Sequence, residues 1–93
     1  MGIVPAKPHY YFGKVLKIGM VREPDVVALQ NVLKYENLFP ANQSSTGNYL
    51  EVTRRAVEAF QRKYQVADVV ELDQVRGNTV GLKTLALLNK LYK

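Results

Sequence analysis

A seven-residue pattern occurs twice in this chain, each time just ahead of a helical stretch. The first copy is Gly47-Asn48-Tyr49-Leu50-Glu51-Val52-Thr53 and the second is Asn78-Thr79-Val80-Gly81-Leu82-Lys83-Thr84. Each opens on Gly or Asn, places a bulky residue two positions on and ends on Thr. Each continues into apolar residues three and four beyond that Thr: Ala56 and Val57, then Leu87 and Leu88. Gly and Asn are the residues that most readily take positive φ. A threonine in a first helical turn can bond backbone groups left free there. The chain is therefore expected to pass from loop into helix twice by the same route, and any fold it adopts must accommodate two equivalent corners.

Three helices are legible around those corners. The first spans about Pro24 to Glu36: Pro suits a first turn, Glu23 and Asp25 complement the positive end of the helix dipole, and Val26, Leu29 and Leu33 share one face with Val32 beside them. The second spans about Glu51 to Gln65, with Thr53, Ala56, Val57, Phe60 and Tyr64 on an inner stripe. Its outer face offers Glu51–Arg55, Arg54–Glu58 and Glu58–Arg62 pairs at i, i+4. The third spans about Leu82 to Tyr92, with Leu85, Leu88 and Leu91 inward. Residues 1–11 hold two of the four prolines and read as an extended arm, leaving 12–93 as the domain. Phe12 to Gly19 reads as an extended lead-in ending in a turn. Residues 37–49 read as a long polar loop, and Val69–Val75 as one short strand before a turn at Gly77-Asn78. The expected class is all-α: three helices joined by long loops in a small bundle, with at most short strands.

Composition removes several kinds of chemistry. At 93 residues the chain is one domain with one modest core. It has no cysteine and a single histidine, His9, so disulfides, thiol nucleophiles and His-rich metal sites have nothing to build on. No metal and no cofactor is expected. No run of about 18 apolar residues exists to span a membrane, and no signal-peptide pattern opens the sequence. Thirteen Lys and Arg against eight Asp and Glu, a net charge of +5, favour an anionic partner: nucleic acid, acidic lipid or an acidic wall polymer.

In order along the chain, the motifs are Leu16-Lys17-Ile18-Gly19, then Asp25-Val26-Val27-Ala28-Leu29-Gln30-Asn31-Val32-Leu33, then Gly47 through Thr53 continuing to Phe60-Gln61, then Asn78 through Thr84 and a leucine-rich end. This series resembles the peptidoglycan-binding domain family over roughly residues 12–91. Two positions depart from the family pattern: Leu50 stands for its inner glycine in the first copy, and Asn78 for its outer glycine in the second. The resemblance implies a closed three-helix bundle that binds cell-wall glycopeptide without cleaving it. It also implies a fused or associated catalytic domain such as a wall hydrolase, and a location at the cell wall, extracellular or periplasmic, or phage-encoded and acting on the wall.

A muramyl polymer presents sugar faces, acetamido groups and peptide carboxylates. The residues suited to these are Tyr49 to stack on a sugar, Asn48, Asn78 and Thr79 to bond acetamido groups, and Arg54 to meet a carboxylate. The bland alternative is that Tyr49 packs in the core, that Asn48 only turns the chain, and that Gln30 and Gln61 bond loop backbone. An enzyme is not expected, since Glu51 and Glu58 already have arginine partners on an exposed face. One rival is a module reusing this fold to bind protein, as in phage or spore assembly. Another is a basic nucleic-acid-binding domain, disfavoured because Glu interleaves with Arg along the second helix.

Overall fold

The structure, a computed structural model, describes residues 6–93. In chain order its elements are β1 (Leu16–Lys17), α1 (Pro24–Tyr35), α2 (Glu51–Lys63), α3 (Val69–Val75), β2 (Thr79–Val80) and α4 (Leu82–Tyr92). The fold is mostly helical, as expected, but among the described residues it has four helices and a two-stranded antiparallel sheet rather than three helices alone. Residues 1–5 of the expected arm lie outside the described residues.

The three expected helices form where periodicity placed them. Helix α1 carries Pro at its start, Asp25 in its first turn and Lys34 in its last, and buries Val26, Leu29, Gln30, Val32 and Leu33. Helix α2 buries Thr53, Ala56, Val57, Phe60 and Gln61, and stops at Lys63 because Gln65 turns left-handed at φ 49°. All three anticipated i, i+4 pairs of α2 are made, at 3.0–3.3 Å for Arg55–Glu51 and Arg54–Glu58 and 2.9 Å for Arg62–Glu58.

The extra helix is a correction. Val69–Val75 is not a strand but the short helix α3, capped by Asp68, whose side chain accepts the Glu71 N–H at 2.8 Å. A strand would have to hide its valines, whereas Val69 and Val70 stay exposed and only Leu72 is buried. The Asp-x-x-Glu start outweighs the β-branched run, because a cap satisfies backbone donors that valine propensity does not.

Segment 16–20 ties the two corners together. Leu16 pairs with Val80 and Lys17 with Thr79, and Ile18 N–H donates to the Asn78 carbonyl at 2.9 Å. The chain then turns at Gly19, φ 98°, and bonds the other corner: Gly19 N–H to the Tyr49 carbonyl at 2.8 Å and Tyr49 N–H to the Met20 carbonyl at 2.7 Å. One lead-in thus bonds both repeats, as strand partner to the second and through two turn hydrogen bonds to the first.

The core runs beneath this seam, through Phe12, Leu16, Leu29, Leu33, Tyr49, Val57, Phe60, Val80 and Leu88. Phe12 is held by a reciprocal pair with the Asn89 side chain, at 2.7 and 2.9 Å, and Tyr10 N–H donates to the Tyr92 carbonyl at 2.8 Å. At the far end of α1, the largely buried Glu36 carboxylate accepts from Lys63 Nζ at 2.6 Å and from the phenols of Tyr64 and Tyr92.

Candidate functional site

The two corners are built alike, and each is clamped by a glutamine. A shift of 31 positions carries Gln30 to Gln61, Asn48 to Thr79, Leu50 to Gly81 and Thr53 to Thr84. The bonds follow the same shift. Gln30 Nε2 donates to the Asn48 carbonyl at 3.1 Å and to Thr53 Oγ1 at 2.9 Å. Gln61 Nε2 donates to the Thr79 carbonyl at 2.9 Å and to Thr84 Oγ1 at 3.2 Å. All four of these Gln and Thr side chains are buried. The threonines therefore receive the glutamines rather than capping backbone N–H groups, since neither α2 nor α4 has a side-chain cap.

The departures from the motif are harmless to the backbone. Leu50 sits at φ −118°, and its counterpart Gly81 at φ −88°, both in ordinary extended conformation open to any residue. The bend of the second corner falls on Arg76 and Gly77, φ 51° and 74°, one step ahead of Asn78, while Gly47 at φ 84° makes the first. Gly77 also touches α2 closely: a Cβ there would lie 2.2 Å from the Arg54 carbonyl oxygen.

Two of the five expected site residues take other roles. Tyr49 is fully buried, and its hydroxyl donates to the Gly77 carbonyl at 2.6 Å. Burial pushes its phenol well above the usual tyrosine range. A ring without an exposed face cannot stack on a sugar, so the stacking role assigned to Tyr49 is corrected to a core role. Arg54 is spoken for as well. Its guanidinium bonds both Glu51 oxygens at 2.8 Å, Glu58 at 3.3 Å and the Arg76 carbonyl at 2.6 Å. Little of its charge is left for a ligand, and the same pair holds the Glu51 carboxyl down to about 2.

The other three are accessible but distributed. Asn48 is half-buried and lines a hollow of about 540 Å³ at the start of α2, walled also by Phe39, Ser44, Leu50 and Val52. Its carbonyl and Oδ1 are occupied, by Gln30 and by the Arg22 N–H at 3.0 Å, and its amide nitrogen has no partner among the described residues. Asn78 lines an adjoining hollow of about 280 Å³ with Glu51, Arg54 and Arg76. Glu51 belongs to both, so these two hollows share a wall. Thr79 lines a third hollow, of about 320 Å³, at the start of α4.

Arg76 is the cation that motif reasoning missed. Its side chain is exposed, borders the Asn78 hollow and makes no ion pair among the described residues. The signal is Arg76-Gly77 at the end of a capped helix, which a strand over Val69–Val75 would conceal.

The family described as Putative peptidoglycan binding domain matches residues 22–68, just over half of the chain, including α1, the first corner and α2. No curated protein and no solved structure matches the chain.

Proposed function

Since the chain belongs to the family described as Putative peptidoglycan binding domain, we propose that it is a non-catalytic module that grips peptidoglycan and keeps a fused or associated wall hydrolase on its substrate. The observation that carries this reading is the family match across the first corner, where two polar-rimmed hollows adjoin. Asn48 and Asn78 offer amide groups to acetamido or peptide carbonyls. Arg76, rather than Arg54, supplies the cation for a stem-peptide carboxylate.

The carboxylates argue for binding without cleavage. Glu51 and Glu58 are both pulled down by arginine bonds, Arg54 first for Glu51 and Arg62 first for Glu58. A general acid for glycoside cleavage needs its pKa raised. The same pairs blunt the field of α2 and weaken the case for nucleic acid. No helix among the described residues is long and apolar enough to cross a membrane.

Without an aromatic plate, such a shallow site should bind no tighter than about 10–100 µM. A repeating polymer and a tethered partner domain offset that weakness through rebinding. The test is depletion of the protein by purified sacculi stripped of teichoic acid. Depletion supports the reading. Its absence, with salt-sensitive binding to DNA instead, overturns it in favour of the nucleic-acid rival.

A further inference from the structure

The internal repeat is broken at one hydrogen bond. At the first corner, Gln30 Oε1 accepts the Gly47 N–H at 3.0 Å, so that amide is satisfied on both sides. At the second corner the corresponding N–H, that of Asn78, donates to the Val75 carbonyl at 2.9 Å, because α3 and its left-handed cap intervene. Among the described residues Gln61 Oε1 is thereby left without a protein donor, although Gln61 itself is only 3% exposed. No side-chain oxygen sealed from solvent among the described residues lacks a partner. The oxygen therefore keeps some access to solvent, and Gln61 lines the hollow at the start of α4.

That hollow is otherwise apolar. Val66, Ala67, Leu72, Val75 and Leu82 wall it, and the Lys83–Glu71 pair, 3.2 Å apart, stands at its edge. At about 320 Å³ it lies at the small end of ligand sites. A greasy pocket with one fixed acceptor suits a small methyl-bearing group that carries an amide N–H.

We propose that the hollow at the start of α4 is a second ligand subsite, which seats a methyl beside an amide on its apolar wall while Gln61 Oε1 accepts the amide N–H. Wall polymer offers this chemistry twice, in the acetamido groups of its sugars and in the alanyl units of its stem peptides; in assigning the ligand to the wall, the inference rests on the wall-binding reading. The 31-residue shift relates this subsite to the hollow beside Asn48, so a repeating polymer meets two related seats on one domain.

The experiment is an amide-resolved NMR titration of the full chain with three probes. Triacetylchitotriose carries the acetamido group alone, L-alanyl-D-isoglutamine the alanyl group alone, and deacetylated glucosamine trimer neither. Shifts at Thr79, Gly81–Thr84 and the Gln61 side-chain amide with either of the first two, and not with the third, support the subsite and identify its source. Leu82→Ala, at a 79% exposed position, should keep the fold and weaken that binding roughly three- to tenfold. Equal shifts with the deacetylated trimer overturn the proposal, as do shifts confined to the Asn48 and Asn78 hollows. Sacculus depletion without shifts at the α4 start overturns this inference and leaves the wall-binding reading standing. Loss of both overturns both.

Discussion

The Tyr49 hydroxyl donates to the Gly77 carbonyl at 2.6 Å, so a residue of the first corner closes the turn that precedes the second. Tyr49 is fully buried, and replacing it with Phe removes the donor while keeping the ring. Tyr49→Phe should cost about 1–3 kcal/mol, the penalty of leaving a buried carbonyl unpaired. Chemical denaturation measures it, and sacculus binding per folded molecule should not change. Unchanged stability with lost binding would return Tyr49 to the ligand.

Gly77 packs against α2 more tightly than any side chain permits. A Cβ would meet the Arg54 carbonyl oxygen at 2.2 Å and the Glu58 nitrogen at 2.7 Å, at φ 74°. These are backbone atoms and cannot step aside. Gly77→Ala should therefore cost upwards of ~3 kcal/mol, through overpacking together with left-handed strain. Gly47 shares the positive φ, but its added carbon would lie 3.0 Å from Glu23 N, so Gly47→Ala should cost less, about 1–2 kcal/mol. Melting temperatures in the order wild type, Gly47→Ala, Gly77→Ala check both; the reverse order would contradict the close approach.

Glu36 makes the fold acid-sensitive. Its partial burial raises the carboxyl pKa, but the bonds from Lys63, Tyr92 and Tyr64 outweigh that and leave it below the ordinary 4.5. With the folded value depressed, the unfolded chain binds the proton more readily. Stability is thus complete above the unfolded pKa and falls as pH drops through the folded one. Glu36→Gln should be less stable at neutral pH and should show a shallower loss between pH ~5 and the folded value. Glu23, Glu51 and Glu58 shift in the same direction but are more open to solvent than Glu36 and better screened, so they contribute a smaller slope to both proteins. Thermal melts of the two proteins from pH 7 downward would reveal parallel curves if Glu36 had no such role.

Which features could be read from the sequence follows from how local their causes are. Helix α4 begins and ends where its leucine spacing placed it, and the Arg–Glu pairs of α2 needed only the helical period. The corners were recognisable because Gln, Gly or Asn, and Thr recur in order. What they do was less visible, because Thr53 and Thr84 bond glutamines 23 residues away, and only Thr53 also bonds locally, to the Asn48 carbonyl. Tyr49 was misassigned for the same reason: whether a loop aromatic faces solvent depends on what lies over it, here the 16–20 segment and Gly77. Helix α3 was hidden by its valines, since two lie outside and pattern alone cannot show that a short run stays uncovered.

Helix α3 hangs on its cap. It has seven residues and buries only Leu72, too short to hold together by propensity. Asp68→Ala removes the bond to the Glu71 N–H and should cost about 1 kcal/mol. The loss should be local: hydrogen exchange should quicken across 69–75 while α1 keeps its protection. Uniform acceleration over the whole chain would mean that α3 unfolds only with the rest.

Arg54 and Arg76 divide the work that motif reasoning gave to Arg54 alone. Arg54 bonds two carboxylates and the Arg76 carbonyl, so Arg54→Ala strips α2 of one of its ties to the second corner and should lower stability. Arg76 gives that carbonyl to Arg54 while its own side chain stays exposed at the edge of the Asn78 hollow. Arg76 sits at φ 51°, a conformation alanine tolerates less well than asparagine, so Arg76→Asn is the better variant. It should melt within a few degrees of wild type and bind sacculi roughly three- to tenfold more weakly at low salt, because a ligand carboxylate loses its cation. The difference should shrink as salt rises and screens the contact. If Arg76→Asn bound as well as wild type and a folded Arg54→Lys lost binding, the cation facing the wall would be Arg54, and its four internal bonds would have to open for the ligand.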